Sequence, residues 1–105
     1  MRVDKTILDS FCEIIEQSID LSKGSELFLF GSRVDPKKKG GDIDLLLVTD
    51  EYTKLKMNEL RLYLKALLRE AAGDQKVDLS VATHEQKKSD PFFSSIDELV
   101  SLRKW

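Results

Sequence analysis

Two short runs in this chain carry the residue types that phosphate and metal chemistry need. Gly31-Ser32 and Asp42-Ile43-Asp44 are separated by nine residues. Side chains alternate between the two faces of a strand, so Asp42 and Asp44 point together if their run is extended. A glycine turn with a hydroxyl can hold phosphate oxygens, and paired carboxylates are the hard oxygen ligands that Mg²⁺ requires. The spacing therefore predicts a triphosphate lying beside metal ions, an arrangement suited to moving a nucleotidyl group.

The segments around these runs predict how they are positioned. Residues 27–30 are apolar on both faces, which indicates a central strand that ends at Gly31. Residues 33–41 are polar and contain Pro36 and a glycine pair, so they form a loop, and residues 42–48 form a second strand. The loop is too short for a crossover helix, so the two strands are predicted to be antiparallel neighbours. Both runs then lie at the same end of the sheet.

The rest of the chain supplies a third strand and the helices. Residues 77–81 alternate, with Asp78 on the face opposite its apolar neighbours, and this strand is free to run parallel to one of the others. Residues 84–90 are polar and predict a linker. Helical spacing of apolar side chains recurs in three segments, 4–22, 53–72 and 92–105. The order predicts the α/β (α+β) class, a small mixed sheet with helices packed on it.

Asp78 adds weight to a motif that is weak by itself, because Asp-x-Asp arises readily by chance in an aspartate-rich chain. Asp42 and Asp44 begin a strand whose remainder is apolar, and Asp78 is predicted to be a third inward-facing carboxylate. Three unpaired buried carboxylates would repel one another by several kcal/mol unless cations intervened. Metal binding by the three aspartates is therefore the simplest explanation.

Length and composition limit the class of protein. The 105 residues predict one domain spanning 1–105, and 41% hydrophobic with 34% charged residues is typical of a soluble globular fold. No apolar run approaches the roughly 20 residues of a membrane span, and the alternation of charged and apolar residues near the N-terminus predicts no secretory signal. Cys12 is the only cysteine, which excludes an internal disulfide and a cysteine-based zinc cluster. The predicted location is the cytoplasm.

The charge pattern favours a small anionic ligand over a long one. A net charge of −2 lacks the broad positive field of proteins that grip duplex nucleic acid. Arg33 and the lysines at 37–39 nevertheless crowd the loop between the two runs. A local basic loop suits a small polyanion, although whether these lysines contact phosphate stays open.

Taken together, Gly31-Ser32-Arg33, the paired aspartates and Asp78 resemble the nucleotidyltransferase superfamily that includes DNA polymerase beta, most closely its minimal nucleotidyltransferase branch. The resemblance runs from about residue 10 to the C-terminal segment. It implies a palm-like fold. It also implies that Gly31, Ser32 and Arg33 bind nucleotide, that Asp42 and Asp44 bind two Mg²⁺ ions, and that Asp78 holds the catalytic metal and activates the acceptor hydroxyl. The implied reaction joins a nucleoside monophosphate, AMP from ATP in the first instance, to a hydroxyl and releases pyrophosphate.

The resemblance also implies a partner. Minimal nucleotidyltransferases are commonly paired with an all-helical HEPN protein, often as antitoxin and toxin, and so short a chain needs a second chain or a second copy to enclose its site. Two other functions stay open. One is a catalytically silent nucleotide-binding module that acts by complex formation, and the other is an enzyme for a small hydroxylated substrate of the aminoglycoside type.

Overall fold

A computed structural model describes residues 4–31, 42–96 and 98–105. These residues form four strands and five helices, which confirms the predicted mixed class. In chain order they are α1 (Lys5–Ser18), β1 (Glu26–Phe30), β2 (Ile43–Thr49), α2 (Glu51–Glu59), α3 (Arg61–Ala71), β3 (Val77–Thr83), α4 (His84–Ser89), α5 (Pro91–Ser94) and β4 (Val100–Lys104). Across the described residues, no helix is long and apolar enough to cross a membrane.

The strands form one mixed sheet in the order β3-β2-β1-β4. β1 is antiparallel to both β2 and β4, and β2 is parallel to β3. The predicted antiparallel pairing of the first two strands is therefore confirmed, and the third strand does run parallel to one of them. This topology brings the end of β1 and the beginnings of β2 and β3 to one end of the sheet.

Apolar side chains cover both faces of the sheet. On one face Leu27 and Leu29 of β1 are fully buried in the main core, which α1 and α3 complete. On the other face Phe28 and Phe30 pack against a smaller cluster around Leu46, Val48 and Ala82. The prediction of a central strand covered on both sides is confirmed. Two apolar layers hold β1 and β2 in place, so the residues at their ends have a rigid support.

The long helix predicted over 53–72 is two helices. Leu60 leaves helical geometry, with φ −98° and ψ 7°, and its amide donates to the carbonyls of both Lys56 and Met57. Met57 and Leu64, on either side of the break, are both buried in the main core. No glycine or proline marks the position, so the apolar spacing reads straight through it.

The predicted polar linker at 84–90 is wrong, because residues 84–89 form α4. The Thr83 hydroxyl accepts from the Gln86 amide at 3.0 Å, and the Gln86 side chain accepts from the Thr83 amide at 3.0 Å. This reciprocal capping box satisfies two backbone donors that a helix start would otherwise leave unpaired. A good cap therefore starts a helix in a segment with no apolar face.

The predicted last helix is also wrong. Asp90 caps α5 and Pro91 occupies its first turn, but this helix ends at Ser94. β4 follows and pairs with β1, and its Val100 and Leu102 pack against the main core. A central strand needs hydrogen-bonding partners at both edges, and this tertiary demand overrides the helical spacing of the apolar residues.

Glu16 links α1 to the edge of the sheet at β4 by accepting two hydrogen bonds. Arg103 Nη1 donates to Glu16 Oε1 at 2.7 Å, and the Trp105 indole donates to the same oxygen at 3.1 Å. These hydrogen bonds lower the pKa of Glu16 from its ordinary value of 4.5. Their contribution to stability is therefore full above pH 4.5 and is lost as the pH falls through the lower folded pKa.

The fluorescence of Trp105, the single tryptophan, should report this protonation. We expect an emission change with a midpoint below pH 4.5 that disappears in Glu16→Gln, because the indole then loses its charged acceptor. Glu13→Gln, an exposed change on the same helix, is the matched control and should keep the transition. An unchanged transition in Glu16→Gln would contradict the assignment.

Candidate active site

Two of the predicted carboxylates lie side by side at one end of the sheet. Asp44 of β2 and Asp78 of β3 are direct partners in the parallel register. On its other side Asp44 is paired with Phe30, the last residue of β1. Asp42 lies two residues earlier, just before β2 begins. The structure thus brings Gly31, which follows Phe30, and all three aspartates to the same end of the sheet.

Gly31 lies directly against the carboxylate of Asp44. Its φ is +81°, a backbone conformation that side chains disfavour. A Cβ added at Gly31 would overlap the Asp44 carboxylate and would stand 3.2 Å from its Cγ. Only glycine lets the end of β1 approach so closely. This turn at Gly31 is also the one that the sequence predicts to hold phosphate.

The surroundings of Asp44 raise the pKa of its carboxyl group. It is half-buried, and burial is the main cause that raises its pKa. The negative charges of Asp78 and then Asp42 raise the pKa further, while Lys76 lowers it. The three carboxylates are therefore close enough to repel one another, and a cation placed among them would relieve that repulsion.

Asp42 and Asp78 are neither fully buried nor unpaired, so that part of the prediction is wrong. Their side chains are 44% and 40% exposed. Lys76 Nζ lies 3.5 Å from Asp42 Oδ2, and Lys65 Nζ lies 3.9 Å from Asp78 Oδ1. The topology explains this, because β3 is an edge strand and Asp42 precedes β2, so water and lysine side chains reach both carboxylates.

The donors at this end of the sheet suit a divalent cation chemically without forming a finished cage. Asp42, Asp44 and Asp78 offer carboxylate oxygens, which hard cations such as Mg²⁺ prefer. In residues 4–31, 42–96 and 98–105, however, no three His, Cys, Asp or Glu side chains are grouped so that they could hold a metal ion. The three carboxylates and their mutual repulsion suit a cation chemically. In this structure, Asp42 and Asp78 each have a lysine ammonium nearby.

Several predicted contacts fall outside the described residues. Ser32 and Arg33, expected to bind nucleotide with Gly31, lie there, as do the lysines at 37–39. Lys65 and Lys76, by contrast, are not among the predicted site residues. Lys76 precedes Asp78 by two positions, so strand alternation could have placed both on one face. Lys65 lies on α3, and nothing in the local pattern links it to β3.

Comparisons with known proteins identify a family and a structural neighbour. The family described as "Nucleotidyltransferase domain" matches residues 10–103. No curated protein matches the chain. Among solved structures, the chain is similar to a protein from Sulfolobus solfataricus provisionally described as a nucleotidyltransferase, with 20% identity, 99% of this chain and 92% of that chain covered, and a TM-score of 0.49.

The family match spans nearly the whole chain, including both strands that carry the aspartates and the turn at Gly31. It covers the residues whose spacing first indicated phosphate and metal chemistry. The chain therefore belongs to the nucleotidyltransferase domain family and fits the minimal nucleotidyltransferase branch of it.

Proposed function

We propose that this nucleotidyltransferase uses ATP and two Mg²⁺ ions to transfer AMP to a hydroxyl group. The observation that carries the proposal is the pairing of Asp44 with Asp78, with Gly31 packed on the Asp44 carboxylate. One rigid end of the sheet then offers a turn for phosphates next to a cluster of negative charge. Asp42, Asp44 and Asp78 are the proposed metal ligands, and Gly31, Ser32 and Arg33 are the proposed nucleotide contacts.

The bound ions would neutralise charge on the triphosphate and stabilise both the attacking and the leaving oxygen. The protein residues orient the reactants. Gly31 lets the end of β1 lie against the Asp44 carboxylate, and the hydroxyl of Ser32 is the proposed donor to the phosphate oxygens. Asp44, supported by packed strands on both sides, fixes where the α-phosphate meets the acceptor.

Asp78 is the proposed base. The acceptor oxygen attacks the α-phosphorus, the bond from that phosphorus to the bridging oxygen of pyrophosphate breaks, and the hydroxyl proton passes to Asp78 Oδ1 or Oδ2 and then to water. Asp78 suits this role because its side chain is 40% exposed, so an acceptor and water can both reach it. Within the part of the chain that the structure describes, nothing covers Asp78 fully, so a partner that covered it would help to exclude water from the reacting groups.

The proposed acceptor is a tyrosine hydroxyl on a HEPN-family partner, with this chain acting as the antitoxin in the cytoplasm. Two observations support a protein partner. Asp42 and Asp78 are partly exposed among the described residues, and α2 and α3 expose large apolar side chains. These are Tyr52, Leu55, Leu62 and Tyr63, which are 56–84% exposed.

A labelling experiment tests the proposal. The purified chain is incubated with Mg²⁺ and ATP labelled at the α-phosphate, with and without the product of the neighbouring gene. We expect label on the partner that is lost when the partner's acceptor tyrosines are changed to phenylalanine. ATP labelled at the γ-phosphate should leave the partner unlabelled, because pyrophosphate is the leaving group.

Controls separate chemistry from binding. Asp9→Asn, an exposed change on α1 far along the chain from the site, should leave labelling unchanged, whereas Asp42→Asn should remove it. Binding of ATP without transfer to any protein or small hydroxylated acceptor would reject the enzyme and favour a silent nucleotide-binding module. Transfer to aminoglycosides but not to the partner would support the small-molecule alternative.

A further inference from the structure

The two outer carboxylates of the site each face a lysine. Lys76 Nζ lies 3.5 Å from Asp42 Oδ2, and Lys65 Nζ lies 3.9 Å from Asp78 Oδ1. We propose that Lys65 and Lys76 serve as counter-ions of the carboxylate cluster while no divalent cation is bound, and that the cation displaces both ammonium groups when it binds. This inference rests on the proposed function, because it concerns metal binding at the same aspartates.

The two lysines approach from different elements. Lys76 is anchored on the β3 side, where its carbonyl accepts from the Ile43 amide at 3.0 Å, next to Asp42. Lys65 comes from α3, which lies along the edge strand β3 and also sends Arg61 to the Leu79 carbonyl at 3.4 Å. Asp44, between them, has neither lysine as an ion-pair partner within 4.0 Å among the described residues. Each outer carboxylate thus has a lysine of its own.

The three aspartates repel one another, but they are not arranged around a common ion site. The two ion pairs with lysine account for the second observation. Asp44 senses the charges of both Asp78 and Asp42. Even so, no group of three acidic, histidine or cysteine side chains in the described ranges is arranged to hold an ion. A cation that binds Asp42 and Asp78 has to compete with their ion pairs. The side chains of Lys76 and Lys65 are 57% and 48% exposed, so each ammonium group can return to water at little cost in free energy.

A lysine that must leave competes with the entering cation. Removing one positive charge at a few ångströms from a divalent ion near the surface should strengthen metal binding by about three- to tenfold, with less effect at high salt. A lysine that lay clear of the carboxylates and contacted only nucleotide phosphates would change the affinity for metal alone no more than a distant surface lysine does. The two roles therefore differ in a measurement that contains no nucleotide.

The test uses Mn²⁺ alone as the probe, with its binding measured by the electron paramagnetic resonance signal of the free ion. We expect Lys65→Met and Lys76→Met each to bind Mn²⁺ about three- to tenfold more tightly than the wild type. Lys65→Arg and Lys76→Arg keep the charge and should stay within about twofold. Lys88→Met on α4 makes the same change in net charge beyond the other end of β3 and should also stay within about twofold.

The outcomes separate this inference from the proposed function. If the wild type neither binds Mn²⁺ nor transfers nucleotide, both the counter-ion role and the proposed function are rejected. If the wild type does both and the methionine variants bind Mn²⁺ no more tightly than Lys88→Met, the counter-ion role alone is overturned. A crystal structure of the wild type with Mn²⁺ gives an answer independent of variant folding. Both Nζ–Oδ distances should lengthen beyond 4 Å, and ion pairs that persist with the metal bound would overturn the inference.

Discussion

Asp44→Asn should lower nucleotidyl transfer by about 10³-fold or more. Loss of a carboxylate that holds metal removes several kcal/mol of charge stabilisation, and each 1.36 kcal/mol is a factor of ten in rate. The same variant should melt at a higher temperature than the wild type at pH 7 without divalent cations. Burial and the neighbouring charges raise the pKa of Asp44, so its ionised form opposes folding.

The pH dependence gives this prediction a sign. Because the folded pKa lies above the ordinary value of 3.8, ionisation of Asp44 reduces stability as the pH rises from that value through the folded pKa. Melting curves of the metal-free wild type should show that decrease, and those of Asp44→Asn should lack it. Asp9→Asn is the control for both measurements. Full transfer activity in Asp44→Asn would exclude Asp44 from the reaction.

Gly31→Ala should separate a backbone effect from a site effect. A Cβ at a positive φ costs about 1–2 kcal/mol of stability wherever it occurs. At Gly31 the Cβ would also overlap the Asp44 carboxylate and push it out of place. Misplacing a catalytic group by about 1 Å can cost on the order of 10²-fold in rate. We therefore expect a loss of stability together with a loss of about 10²-fold in transfer.

Gly73→Ala is the matched control. Gly73 has a φ of +68°, and an added Cβ there would meet nothing within 4 Å. Its free energy of unfolding should fall by a similar backbone cost, with transfer activity retained. Urea unfolding and the labelling assay measure the two effects. Equal activity losses in Gly31→Ala and Gly73→Ala would mean that contact with Asp44 does not matter.

The strands that position the site follow from local patterns. Apolar residues on both faces of 27–30 and the short loop after Gly31 are enough to predict two antiparallel buried strands. Alternation in 77–81 places Asp78 on the face opposite Val77 and Leu79, and its partnership with Asp44 then depends on parallel pairing. The strands are predictable because each pattern depends on side chains close together in sequence, whereas the pairing of Asp44 with Asp78 joins distant segments.

The last third of the fold depends on distant contacts, and there the sequence pattern misleads. Val100 and Leu102 fit a helical stripe as well as a strand, and only the open edge of β1 decides between them. The ion pairs of the carboxylates cannot be predicted from the sequence for the same reason. Lys65 reaches Asp78 from a helix that is separate in sequence. Expecting buried, unpaired charges ignored that β3 lies at an edge.

The pairing of β1 with β4 has a consequence for how a newly made chain folds. Ser101 lies 75 residues from Glu26 in the sequence and donates a hydrogen bond to it, so this half of the sheet closes only after residues 100–104 have been made. Contacts so distant in sequence slow the search for the native state. Until residues 100–104 arrive, one side of β1 displays unpaired amides and carbonyls, and a nascent chain is open there to misassembly with its neighbours.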